Sequence, residues 1–149
     1  RKLSKLRRAL PSTDNLRREL QNKIRHMRVA VINAPNVPIQ TLEDIRKVDK
    51  QLRSIRRTLN GDYSLSRRQF ETPPSIAGRI GMVNYQLSNT TAAPTKSHQE
   101  NLKIAEADFA KVFAELKKLV NEDIKKIEKS LENAGAPYTP GRMPQWIKD

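Results

Sequence analysis

The chain has 149 residues, 36% hydrophobic and 30% charged, with a formal net charge of +13. It has no cysteine, which excludes disulfides, thiolate nucleophiles and cysteine-based metal sites. No apolar run approaches the roughly 20 residues that a membrane-crossing helix needs.

The positive charge is concentrated early. Residues 1–75 carry 18 Lys/Arg against 7 Asp/Glu, and residues 76–149 carry 11 against 9. A mean hydropathy of −0.74 is low for a globular protein. The apolar residues are nevertheless strictly periodic, which predicts a bundle with thin apolar seams and wide solvated faces.

In chain order, Leu3, Leu6 and Leu10 predict a short helix that Pro11 interrupts. Ser12, Thr13 and Asp14 are N-cap candidates for a following helix with Leu16, Leu20, Ile24, Met27 and Val31 on one face. Pro35 and Pro38 end it. Thr41 with Asp44 has the spacing of a capping box, and Leu42, Ile45, Val48, Leu52, Ile55 and Leu59 form the next stripe up to Gly61. The connection from Tyr63 to Pro74 is expected to be ordered, because it carries Tyr63, Leu65 and Phe70. Ile76, Ile80, Val83 and Leu87 mark a third helix. Gly78 and Gly81 inside it predict a close helix approach, since each costs about 1 kcal/mol of intrinsic propensity.

Residues Thr95 to Asn133 then form one amphipathic stretch without proline or glycine, with a candidate capping box at Ser97 and Glu100. Its face reads Leu102, Ala105, Phe109, Phe113 or Val112, Leu116, Val120 or Leu119, Ile124, Ile127 and Leu131. The predicted fold is all-α, an elongated bundle of about four helices built on this long C-terminal helix, with an extended Pro-rich tail. Residues 1–149 are read as a single helical bundle domain. The three earlier segments are shorter than the last, so either two stack end to end along it or the long helix kinks.

Sites for chemistry are scarce. His26 and His98 stand apart and read as solvated or capping residues. Glu43/Asp44 and Glu122/Asp123 are adjacent pairs that point about 100° apart on a helix, so they do not converge. Serines lack a nucleophile-elbow setting and no Gly-rich phosphate cradle is present. No catalytic, metal or cofactor residue is expected, and the chain is read as non-enzymatic. The basic residues of the first two helices, such as Arg46, Lys47, Lys50, Arg53, Arg56 and Arg57, fit a solvated face, a partner-facing surface or a nucleic-acid contact. No aromatic is interleaved with them for base stacking.

Several motifs carry a resemblance. Pro73-Pro74-Ser75-Ile76 with Arg79-Ile80, then Ala92-Ala93-Pro94-Thr95, then Asn133-Ala134-Gly135-Ala136-Pro137-Tyr138-Thr139-Pro140-Gly141-Arg142 and Trp146 form the pattern. It resembles the C-terminal helical region of large bacterial sortilin-like (BNR/Asp-box) β-propeller proteins that are often labelled glycosyl hydrolases. The resemblance covers roughly residues 55–149. It implies a C-terminal fragment of a larger, exported protein whose preceding propeller would hold any sugar or peptide site. No Asp-box occurs here, so a hydrolase label does not transfer to these residues. The expectation is an accessory or interaction module, with Pro73, Pro74, Arg79, Tyr138, Arg142 and Trp146 as docking points. Its partner would be the N-terminal β-propeller of the same parent, or a second copy. The alternative is a free-standing basic helical protein that binds nucleic acid or another anionic partner.

Overall fold

The computed structural model describes residues 2–61, 74–88 and 95–136. These are 89% helical with no strand, and they form an all-α bundle of four helices with a long last one. The elements are α1 (Lys2–Ile32), α2 (Ile39–Asn60), α3 (Ile76–Ser88), α4 (Lys96–Lys118), a π-helical turn (Leu119–Asp123) and α5 (Ile124–Asn133). The last three form one helical run of 38 residues.

The chain divides into two compact units. The first comprises Arg1–Arg17 and Arg53–Leu116. Its core is aliphatic: Leu6, Ile55, Leu59, Ile76, Ile80, Val83, Ala105, Val112 and Leu116 are all buried. The second comprises Arg18–Leu52 and Lys117–Asp149. It buries Leu20, Ile24, Met27, Ile45, Val48, Leu52, Leu119, Ile124, Ile127 and Leu131. Each fully buried Leu, Ile or Met contributes about 1.5–3 kcal/mol over its exposed state.

The expected break at Pro11 does not occur, and α1 runs through it for 31 residues. Pro11 and Arg7 both lie on the exposed face. The Arg7 carbonyl that loses its helical partner can therefore be hydrated, which lowers the cost of an interior proline. The unbroken helix also resets the seam. Counted in sevens from Leu6, the inward positions are Thr13, Leu20 and Met27, and Arg17 lies one helical turn beyond Thr13. Thr13 and Arg17 are buried accordingly, while Leu16, expected inward, is 38% exposed. Burying a guanidinium requires a partner. Arg17 Nε donates to Asp14 Oδ1 at 2.8 Å, and Asn60 Nδ2 donates to the same oxygen at 3.0 Å.

The caps also differ from the sequence spacing. α2 begins at Ile39, so Thr41 is already inside it. Its backbone N–H donates to the Pro38 carbonyl and its buried hydroxyl pairs with Ser130 on α5. At α4 the capping pair is Thr95 with His98, two residues earlier than Ser97 with Glu100. His98 N–H donates to Thr95 Oγ1 at 3.3 Å and Thr95 N–H donates to His98 Nδ1 at 3.2 Å. The imidazole stands where a capping box usually has a carboxylate or amide.

α3 is capped by Ser75, whose Oγ accepts from Gly78 N–H at 3.0 Å. The glycines of this helix do not mark a close helix approach. A Cβ at Gly78 would meet only the Ser75 Oγ of its own cap, and one at Gly81 would meet nothing within 4 Å. Along the long run Val112 and Leu119 take the inward positions, and Phe113 is 56% exposed. The run ends in a Schellman motif. Gly135 has φ +70°, its N–H donates to Glu132 C=O at 3.1 Å, and Ala136 N–H donates to Leu131 C=O at 3.0 Å.

Candidate interaction surfaces

Of the expected docking residues, Pro74 and Arg79 lie within the described structure, whereas Pro73, Tyr138, Arg142 and Trp146 lie outside it, as does the connection from Tyr63 through Pro73. Pro74 is exposed beside the Ser75 cap. Arg79 is half-buried on the second turn of α3 and donates from Nη1 to Asn101 Oδ1 on α4 at 2.8 Å. Its Nε is buried without a hydrogen-bond partner. The Nη1 end of the guanidinium thus ties α3 to α4. The structure brings Pro74 and Arg79 to the N-terminal end of α3.

The side chains that do stand out are apolar. In the second unit Ile32 is 77% exposed and Ile39 79%, on either side of the corner between α1 and α2. The run from Val29 to Leu42 carries no charged residue, in a chain that is 30% charged. The corner is held by backbone hydrogen bonds from Ala34 N–H to Val31 C=O and from Val37 N–H to Ala34 C=O. In the first unit Tyr85 is 71% exposed on α3, and Phe113 stacks on Phe109 along α4 with ring centroids 6.4 Å apart. Sequence reasoning missed the corner because Ile32 and Ile39 fall at the ends of apolar stripes, where periodicity does not fix the facing. The absence of charge across Val29–Leu42 was the available signal.

The second unit also holds a cleft of about 360 Å³ between α2 and the π-helical turn. Asp44, Lys47, Val48, Lys50 and Gln51 line it from α2, and Lys118, Asp123 and Lys126 from the opposite side. Asp44 Oδ1 accepts from Gln40 Nε2 at 3.0 Å and Asp44 Oδ2 lies 3.9 Å from Lys126 Nζ. Two further ion pairs tie this unit together: Lys23 with Glu128, and Arg28 with Asp49 at 3.6 Å. His26 is exposed and His98 is engaged in its cap. Among the described residues no group of three or more His, Cys, Asp or Glu could hold a metal ion, and no helix is long and apolar enough to cross a membrane.

Fold and surface define the class, an all-helical bundle with large apolar side chains left in water on a strongly charged exterior. No protein-family model, curated protein or solved structure matches the chain.

Proposed function

We propose that this chain is a non-catalytic accessory or interaction module, C-terminal in a larger, exported sortilin-like β-propeller protein. The observation that carries an interaction role is the exposed apolar corner, where Ile32 and Ile39 are each more than three-quarters in water. Aliphatic side chains exposed on both flanks of an uncharged, hydrogen-bonded corner are the composition of an interface core rather than of a solvated face. The parentage rests on the motifs around Pro74, Arg79, Gly135, Tyr138 and Trp146. The mechanism is packing: apolar seams build the bundle, and its exposed apolar groups meet the preceding propeller.

The reading frame upstream of Arg1 tests this. Asp-box blades and an export signal there support the reading, whereas a start codon a few residues upstream overturns it. In the intact protein, amide exchange at Ile32 and Ile39 should be slower than in the separate chain. Equal exchange would remove the corner from the interface.

One feature favours the alternative of an anionic partner. Arg46, Lys47 and Lys50 in the second unit, and Arg53, Arg56 and Arg57 in the first, are all exposed on α2. Nucleic-acid binding through such groups would fall with salt on a log–log slope of several units. Absence of binding at about 0.15 M salt would dismiss it.

A further inference from the structure

The cleft at the π-helical turn has a charge arrangement that the interaction role does not use. Lys118 and Asp123 are five positions apart, and a regular α-helix would set them about 140° apart around its axis. Here the Ile124 N–H bonds the Leu119 carbonyl five residues back, which is the π pattern. The wider turn brings both side chains to the same cleft. Facing them across it are Lys47 and Lys50 of α2, with buried Val48 among the lining residues.

The charges in the cleft do not cancel. Both oxygens of Asp44 are engaged, by Gln40 and Lys126. Among the described residues, Lys47, Lys50 and Lys118 have no carboxylate at ion-pair distance, and Asp123 alone opposes three ammonium groups. Every cation among the described lining residues is lysine. Ammonium groups are compact point charges with rotatable donors. Lysines bind phosphate oxygens in this way, as point charges rather than as bidentate forks.

We propose that this cleft is a binding site for a small multivalent anion of the pyrophosphate class. Lys47, Lys50 and Lys118 donate to its oxygens, and the π-helical turn places Lys118. The Asp44–Lys126 pair also lines the cleft, and Lys126 offsets the repulsion between that carboxylate and the ligand.

The test is calorimetric titration of the full chain with pyrophosphate at about 0.15 M salt, where diffuse surface attraction is largely screened. Two charge-matched variants are compared with the wild type, K47Q/K118Q in the cleft and K103Q/K111Q on α4 away from it. All four lysines are exposed, and glutamine preserves helix propensity, so both variants should retain wild-type helical circular dichroism. The expected result is saturable binding that the cleft pair weakens at least tenfold and the α4 pair less than twofold. Equal weakening by both pairs would reassign the attraction to net charge and overturn the site. So would the absence of binding at millimolar pyrophosphate.

Discussion

Arg17 is the residue whose environment departs most from its sequence context. It is 4% exposed, on the same buried face as Leu20, Ile24 and Met27, and its charge is neutralised by Asp14 under a hydrogen bond from Asn60. Removing one member of such a pair strands the other charge away from water, which costs about 3–5 kcal/mol. Arg17→Ala should therefore lower the urea midpoint sharply at unchanged slope. Replacing both members with leucine (Asp14→Leu with Arg17→Leu) should recover most of the loss. A double variant as unstable as the single one would mean that the network has a role beyond mutual neutralisation. The Thr95 cap permits a second prediction at this scale. Thr95→Ala should cost about 1 kcal/mol, and Ser97→Ala, at the position expected from sequence to cap, only a few tenths. Thermal melts of the two variants distinguish these capping assignments.

At the scale of elements, helix ends and helix glycines have opposite expectations. Gly135 holds φ +70° in the Schellman motif, so Gly135→Ala forces a side chain into the left-handed region and should destabilise by about 1 kcal/mol. Gly81 is interior to α3 with open space around its missing Cβ. Gly81→Ala should stabilise by about 0.5–1 kcal/mol, through helix propensity and a less flexible unfolded chain. A destabilised Gly81→Ala protein would show that something packs closely at that position. The seams of α2 and α3 were legible because Ile45, Val48, Leu52, Ile55 and Leu59, and then Ile76, Ile80 and Val83, repeat at helical spacing and are buried as that spacing requires. The continuity of α1 was not legible. A proline inside a helix is tolerated according to which face it occupies, and that face is set by the packing partner.

For the whole molecule, a net charge of +13 sets the response to salt. The ion pairs Lys23–Glu128, Arg28–Asp49 and Lys126–Asp44 are partly exposed, and such pairs contribute little each. Repulsion among the excess cations outweighs them at low ionic strength. Raising salt from about 0.01 M to about 0.15 M shortens the screening length from about 30 Å to about 8 Å. The melting temperature should rise over that interval. A fall would mean that specific pairs, rather than net charge, dominate the electrostatics.

The all-helical fold, the long last helix and the aliphatic composition of the core were determined by sequence alone. The 3.6-residue period is a local property that each stretch carries without reference to any other. The long-range terms were decided by tertiary structure. Asp14 and Arg17 can be buried because Asn60, 46 positions away, completes their hydrogen bonds. Thr41 leaves its expected cap for Ser130. Lys118 and Asp123 meet α2 in one cleft because the long helix widens for one turn where Leu119 is buried. Polar groups are placed by the partners that satisfy them, and those partners lie far off in the chain.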